Sequence, residues 1–153
     1  MELKFKNGKF RIMQIADVQD TQRTSDATVR FIREALKKAQ PDLVVFTGDQ
    51  VKGYGFNLMG GDNKKKVTEC INKLLTPLDE TGIPFTFVFG NHDDQAFSIS
   101  KKEQSEIYGS HENCVALSAF TNESPVKTVS ASAPRNCRGS VISGQKFSGI
   151  MAS

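Results

Sequence analysis

The order of apolar and polar residues along the chain predicts strands that alternate with helices. Three apolar runs have the composition of strands, namely Lys9–Ala16, Asp42–Thr47 and Phe85–Phe89. Between them, at about residues 25–39 and 62–80, apolar residues recur every three to four positions, which is typical of amphipathic helices. This alternation favours an α/β fold with a mixed, largely parallel sheet flanked by helices.

Turn and cap residues indicate where the first elements begin and end. Asn7-Gly8 is a type I′ hairpin signal between Glu2–Lys6 and the first long strand. Ser25 or Thr24 can cap the first helix. Gln40-Pro41 ends that helix, because proline disfavours the helical conformation in the residue before it.

The later elements carry similar signals. Pro77 is expected to kink the second helix or to start a new turn there, and Gly82 closes the helix. A short helix is expected at about Lys101–Tyr108, with Ser100 as its cap and Glu103 in its first turn.

The periodic pattern fades past about Leu117, where serines are spread through a stretch in which only Ser140–Ile142 hints at a strand. We therefore expect one patterned domain over residues 1–117 and an irregular or disordered tail over residues 118–153.

Composition narrows the class of protein. The chain has 153 residues, 24% charged and 38% apolar, and a net charge of +3, which describes a soluble globular domain and gives no indication of nucleic-acid binding. No segment reaches the roughly 18 apolar residues of a membrane span, and the N-terminus lacks the apolar core of a signal peptide. Three cysteines without metal-binding spacing fit reduced thiols, with Cys70 as a buried, inert one. These features favour the cytoplasm.

Three polar segments directly follow the three strands, namely Ala16–Asp20, Gly48–Gln50 and Gly90–Asp94. Ligands of open α/β sheets bind outside the carboxyl ends of the strands. Asp17, Asp49, Asn91 and His92 should therefore converge at one edge of the sheet. Hard oxygen ligands and an imidazole that meet there suit a divalent metal ion.

Together the three segments resemble the calcineurin-like metallophosphoesterase family, whose pattern is Asp-x-His, Gly-Asp and Gly-Asn-His-Asp/Glu, followed later by Gly-His-x-His. The resemblance covers about Phe10 to Tyr108. Two departures stand out: Gln19 replaces the usual histidine, and no Gly-His-x-His follows in a chain with only two histidines. Truncation, a tail read out of frame and true loss of the motif all remain open.

The resemblance implies the N-terminal half of an αββα sandwich and the metal-dependent hydrolysis of phosphomonoesters or phosphodiesters. The complete family site holds two divalent ions, and Mn, Mg, Fe or Zn are all candidates. The substrate would be a phosphate ester, with no nucleic acid and no membrane involved. With half a sandwich uncovered, the sheet is expected to favour self-association.

The resemblance also implies a role for each residue. Asp17 would bind the first metal, Asp49 would bridge both and Asn91 would bind the second, while His92 would act beside the substrate on the leaving-group oxygen or a phosphate oxygen. If Gln19 is a ligand, the first site favours Mn or Mg; if it is not, Gln19 hydrogen-bonds a bound water.

Other readings stay open beside this one. Asp93 is expected to be structural or to support a ligand, and Asp20 and Asp94 are expected to be turn residues. A surface position is the default for His111. The rival function is a non-catalytic fragment or an interaction module that retains a partial metal site.

Overall fold

A computed structural model describes residues 3–55, 61–96 and 99–115, and the backbone of residues 140–143. Within these residues there are four strands: β1 (Ile12–Ala16), β2 (Leu43–Phe46), β3 (Phe85–Phe87) and β4 (Ser140–Ser143). The helices are α1 (Asp26–Ala39), α2 (Asn63–Thr81), α3 (Asn91–Asp94) and α4 (Lys101–Gly109).

The four strands form one sheet in the order β3-β2-β1-β4. Every pairing among the described strands is parallel, so the antiparallel part of the expected mixed sheet is not seen in this portion of the chain. The predicted adjacency of the three motif strands is confirmed. Their bounds are shorter than predicted, since β1 begins at Ile12 and β3 ends at Phe87.

The predicted hairpin at Asn7-Gly8 forms as a tight turn. Both turn residues have positive φ, 52° for Asn7 and 70° for Gly8, as a type I′ turn requires. Lys6 and Lys9 exchange backbone hydrogen bonds of 2.9 and 3.0 Å. Within the described residues this antiparallel bridge does not extend into a two-stranded ladder, so the predicted strand before the turn is reduced to one pair.

Both long helices begin and end where their cap residues predict. The Ser25 hydroxyl accepts a hydrogen bond from the Thr28 N–H at 3.1 Å, which makes Ser25 the cap of α1. Gln40 leaves that helix in the left-handed conformation, and its N–H donates to the Leu36 carbonyl. The α2 helix runs without a break through Pro77, so the expected new turn does not form, and Gly82 ends it at a φ of 64°.

The core lies between the sheet and the apolar faces of the helices. Phe46 and Phe85 meet edge to face with ring centroids 5.9 Å apart, and Tyr108 of α4 stacks on Phe87 at 4.2 Å. Aromatic pairs of this kind add about 0.5–1.5 kcal/mol each beyond the apolar area that they bury. The largest fully buried apolar side chains are those of Phe46, Phe85, Met13, Leu36, Ile71, Leu74, Leu75 and Leu78.

Cys70 lies in this core, as its place on the apolar face of α2 predicted. Burial raises the pKa of the Cys70 thiol to about 12. A nucleophilic thiolate is therefore absent at this position near neutral pH.

Two expectations concern the tail and the membrane. The hint of a strand at Ser140–Ile142 corresponds to β4, which pairs with β1. Residues 116–139 and 144–153, on which the predicted irregular tail falls, lie outside the described residues, so the boundary at residue 117 stays a prediction. Within the described part of the chain, none of the helices combines the length and apolar character needed to cross a bilayer.

Candidate functional site

The loops that follow β1 and β2 run side by side at the carboxyl edge of the sheet. The Asp17 N–H donates to the Gly48 carbonyl at 3.1 Å, and the Gln19 N–H donates to the Asp49 carbonyl at 2.9 Å. These bonds continue the parallel pairing past the ends of the strands. They bring the first and second motifs together at the edge that the sequence predicted.

Three of the predicted site residues have positive φ although they are not glycine. The values are 53° for Asp17, 46° for Gln19 and 55° for Asp49. The left-handed conformation costs a residue with a Cβ atom roughly 1–2 kcal/mol. Strained conformations of this kind cluster at functional sites and persist only where the surrounding structure enforces them.

Two motif glycines allow the second and third motifs to pack backbone against backbone. Gly48 has a φ of 102°, and a Cβ atom on it would lie 2.6 Å from the Gly90 nitrogen. A Cβ on Gly90 would lie 2.1 Å from Asp49 Oδ1. A larger residue at position 90 would push the Asp49 carboxylate out of its place, and one at position 48 would collide with the backbone of Gly90.

The Asp93 carboxylate links the second and third motifs through hydrogen bonds. It is only 1% exposed and accepts four backbone hydrogen bonds, from the N–H groups of Asp49 (2.7 Å), Gln50 (3.0 Å), Val51 (2.9 Å) and Gly90 (2.9 Å). Burial raises the pKa of Asp93 above its ordinary value, while the backbone N–H groups partly oppose that shift. The expected structural role of Asp93 matches this position.

Asp49 is held by the segment that it faces. Its Oδ1 atom accepts a hydrogen bond from the His92 N–H at 2.8 Å. Among the described residues no hydrogen bond engages its Oδ2 atom, and none engages the Asp17 carboxylate. Asn91, at the exposed start of α3, has its Nδ2 atom 3.2 Å from His92 Nδ1. The Oδ2 atom of Asp49 and the carboxylate oxygens of Asp17 are therefore available to a cation.

The His92 ring has one nitrogen occupied and one without a described partner. Its Nδ1 atom lies 2.9 Å from Gln95 Oε1, in addition to the Asn91 contact. No described residue forms a hydrogen bond to Nε2. The ring also lies against Tyr54, with centroids 4.4 Å apart. Nε2 is thus the nitrogen through which His92 can exchange a proton with a ligand.

Tyr54 and Lys52 belong to the same cluster, and the sequence reasoning missed both. The Tyr54 hydroxyl donates to Gln19 Oε1 at 3.0 Å, and Lys52 Nζ lies 5.2 Å from the centre of the Tyr54 ring. The only signal in the sequence was their place in the loop directly after Gly48-Asp49. Nothing in the spacing alone indicated that this loop folds back over His92.

The remaining acidic and histidine positions have ordinary structural partners. Asp20 Oδ1 accepts a hydrogen bond from the Thr21 N–H at 2.8 Å, as expected of a turn residue, whereas Asp94 is the last residue of the α3 helix and pairs with Lys101 at 3.2 Å. The default surface position for His111 is wrong. Its side chain is only 12% exposed, and its Nδ1 atom lies 2.9 Å from an Asp79 carboxylate oxygen, which joins the end of α4 to α2.

The chemistry of the available donors decides which metal ions fit. In the described segments, no three His, Cys, Asp or Glu side chains form a group that could hold a metal ion. The donors at the edge are the two carboxylates of Asp17 and Asp49 and the amide oxygen of Asn91. Such an all-oxygen set fits one hard cation, such as Mn²⁺ or Mg²⁺, better than it fits Zn²⁺ or a pair of ions.

Comparison with protein families extends this picture. The family model described as calcineurin-like phosphoesterase matches residues 10–139. That range includes all three strand-end segments. No solved structure matches the chain.

Individual relatives match the chain over similar lengths. Phosphatase DCR2 of Saccharomyces cerevisiae is 30% identical over 65% of this chain, which spans 18% of that protein. Probable inactive purple acid phosphatase 29 of Arabidopsis thaliana is 32% identical over 69% of this chain, and the chain spans 30% of it. Probable inactive purple acid phosphatase 28 of the same plant is 29% identical over 63% of this chain, which spans 26% of it. The chain thus spans less than a third of each of these relatives.

Proposed function

The chain belongs to the calcineurin-like phosphoesterase family, and from that premise we propose that its three strand-end segments form a divalent-metal site for the hydrolysis of phosphomonoesters or phosphodiesters. One observation carries the proposal. Asp49 Oδ1 is held by the His92 N–H at 2.8 Å, whereas its Oδ2 atom has no partner in the described residues. A carboxylate with one oxygen fixed and the other available is suited to hold a cation beside a histidine.

Each site residue has a separate task in this proposal. Asp17 and Asp49 supply the negative charge that holds the ion, and Asn91 supplies a neutral amide oxygen. A bound ion would supply Lewis-acid chemistry by polarising a phosphoryl oxygen and stabilising the negative charge on the oxygens of the phosphoryl group. Gln19 is the weakest donor of the set, because its amide oxygen already accepts a hydrogen bond from the Tyr54 hydroxyl.

His92 moves the proton in this proposal. Its Nδ1–H donates to Gln95 Oε1, so the ring would give the leaving-group oxygen a proton from Nε2 in its imidazolium form and become a neutral imidazole. An imidazole is suited to this task because its ordinary pKa lies close to neutral pH. A positioned proton donor of this kind contributes about 10²–10⁴-fold to the rate.

For the 153-residue chain by itself, a second candidate is favoured by a specific observation. Within the described residues the family's later histidine ligands have no counterpart, and no group of three His, Cys, Asp or Glu side chains forms. We therefore expect this chain to hold a single ion and to turn substrate over slowly. A longer parent that contains a Gly-His-x-His segment would hold two ions and hydrolyse its substrate faster.

An aryl phosphate assay with Mn²⁺ tests the proposal. We expect slow hydrolysis that a chelator abolishes and that Asp49→Asn removes, while His92→Ala keeps Mn²⁺ binding but slows turnover by roughly 10²–10⁴-fold. Mn²⁺ binding with no chelator-sensitive hydrolysis would leave the non-catalytic partial site as the better description. Hydrolysis that persists in both variants would contradict the assignment of these residues.

A further inference from the structure

Tyr54 is the residue at which the first and third motifs meet through side chains. Its hydroxyl donates to Gln19 Oε1 at 3.0 Å, and its ring lies 4.4 Å from the His92 ring at an interplanar angle of 43°. The side chains of Gln19 and His92 are thus connected through Tyr54. Their other connection is through Asp49, whose backbone carbonyl accepts from the Gln19 N–H and whose carboxylate accepts from the His92 N–H. The two contacts use different parts of one side chain, so one residue serves both.

Tyr54 lies beside His92 because the backbone of its loop passes close to the backbone of α3. A Cβ atom on the preceding residue, Gly53, would lie 1.9 Å from the His92 carbonyl oxygen and 2.6 Å from the Ala96 nitrogen. Only glycine allows the loop to pass so near α3. The same loop is also held two residues before Gly53, where the Val51 N–H donates a hydrogen bond to the Asp93 carboxylate. The position of Tyr54 is therefore built into the loop.

The imidazole of His92 needs two restraints to hold one orientation. The hydrogen bond between Nδ1 and Gln95 fixes the direction of the ring within its plane, but the ring can still tilt about that bond. A ring packed against its face removes the tilt. Tyr54 supplies that face, and Gln19 in turn holds the Tyr54 hydroxyl.

We propose that Tyr54 is a positioning residue for His92, and that Gln19 holds Tyr54 in place instead of binding the metal. This inference rests on the proposed function, in which His92 Nε2 meets the substrate. It explains how glutamine at the usual histidine position remains compatible with the site. Gln19 then serves the orientation of the proton donor, and the ion is held by oxygen atoms of other residues.

Nuclear magnetic resonance of the histidine rings tests this directly, because the chain has only two histidines. The variants are Tyr54→Leu, which removes the aromatic ring, and Tyr54→Phe, which removes only the hydroxyl. His92→Ala assigns the two sets of ring signals. Tyr54 is 38% exposed, so these substitutions leave the fold intact, and the His111 signals serve as an internal control.

The expected results differ between the variants. In Tyr54→Leu the His92 ring protons lose the ring-current shift and move, while the His111 protons stay. In Tyr54→Phe the ring-current shift on the His92 ring protons becomes smaller but does not vanish, because the ring is present and Gln19 no longer holds it, and the side-chain amide signals of Gln19 move because their partner is gone. Gln19→Ala should keep the Mn²⁺ affinity of the parent chain. Where turnover is measurable, Tyr54→Leu lowers kcat by up to about 10²-fold with KM unchanged, since misplacement of a reacting group acts on the chemical step.

Specific results would overturn the inference. His92 signals that do not move in Tyr54→Leu would exclude the ring contact, and Gln19 amide signals that do not move in Tyr54→Phe would exclude the hydroxyl contact. Loss of Mn²⁺ binding in Gln19→Ala would make Gln19 a ligand. The ring signals do not depend on catalysis. If no form of the chain hydrolyses an aryl phosphate, the proposed function fails, while the ring signals still decide the role of Tyr54.

Discussion

Two regions of the site are held in place by very different means. The first region, here called the Asp93 junction, comprises Gly48–Val51 and Gly90–Asp93, where a buried carboxylate accepts four backbone hydrogen bonds. The second, here called the first-motif loop, comprises Asp17–Asp20. It is fixed by backbone bonds to its neighbour, by the packing of Val18 against the core and by side-chain hydrogen bonds of Gln19 with Tyr54 and of Asp20 with the Thr21 N–H.

The difference separates stability from chemistry. Within the Asp93 junction, Asp93 cannot change without loss of backbone hydrogen bonds, and Gly48 and Gly90 cannot change without a steric collision. In the first-motif loop, side chains can change with little effect on the fold, and glutamine in place of histidine is a change of this kind. Substitutions of Gly48, Gly90 or Asp93 should therefore lower the free energy of unfolding. Substitutions of Asp17 should alter ion binding and those of Gln19 the placement of Tyr54, with little change in that free energy.

The largest expected effect is that of Asp93→Asn. The amide nitrogen of asparagine would face two backbone N–H donors that now have an acceptor. Leaving such donors unsatisfied costs roughly 1–3 kcal/mol each, so we expect a loss of about 3 kcal/mol in the free energy of unfolding. Urea denaturation measures it.

The matched control for that variant is Asp94→Asn, one residue away. Asp94 is exposed, and its one ion pair among the described residues is with Lys101, so its loss should cost less than about 1 kcal/mol. Equal losses for the two variants would mean that the buried carboxylate does not hold the junction.

Gly90→Ala should have the next largest effect. The new Cβ atom would lie 2.1 Å from Asp49 Oδ1, and relief of such overpacking costs about 2 kcal/mol. The variant should also lose Mn²⁺ affinity, because the Asp49 carboxylate is displaced. Gly109→Ala, where a Cβ meets nothing within 4 Å, is the control and should keep both properties. Wild-type Mn²⁺ affinity in Gly90→Ala would refute the close approach.

Asp17→Asn should show the opposite pattern, with stability kept and binding lost. Asparagine adopts the left-handed conformation as readily as aspartate, so the free energy of unfolding should change by less than about 0.5 kcal/mol. Mn²⁺ affinity should fall by more than about tenfold, because a unit charge near the ion is lost. A variant that unfolds more easily yet binds Mn²⁺ normally would reverse the assignment of the two regions.

The smallest effect concerns α4, which supports the junction from outside through a hydrogen bond from Gln104 Nε2 to the Asp93 carbonyl. The N–H and hydroxyl of Ser100 and the ammonium group of Lys64 lower the pKa of Glu103 to about 2 from its ordinary 4.5. A lowered pKa contributes stability that is present above pH 4.5 and is lost as the pH falls towards 2. Glu103→Gln should flatten this part of the stability profile, as followed by acid titration of the circular dichroism signal. If the variant lost stability with falling pH as steeply as the wild-type chain does, Glu103 would not contribute to this part of the pH dependence.

Local signals in the sequence were sufficient for most of the fold. Caps such as Ser25, Gly82 and Ser100 act through neighbouring residues, so their effect can be read from spacing. The exact strand bounds depend on pairing between strands, which explains why β1 and β3 are shorter than the apolar runs. His111 was misjudged for a related reason, because its partner Asp79 lies 32 positions away in the chain.

In the candidate site, too, some features could be predicted from the sequence and others depend on contacts between distant parts of the chain. The convergence of Asp17, Asp49 and His92 followed from their positions at the ends of parallel strands. The part played by Tyr54 did not, since it depends on a loop that passes within contact of α3 at Gly53.

A titration of the chain with Mn²⁺, followed by electron paramagnetic resonance, tests the central claim most directly. We predict that the wild-type chain binds one Mn²⁺ ion, that Asp94→Asn binds it equally well and that Asp49→Asn does not bind it. Two tightly bound ions in the wild-type chain, or one bound with the same affinity by Asp49→Asn, would contradict a single-ion site centred on Asp49.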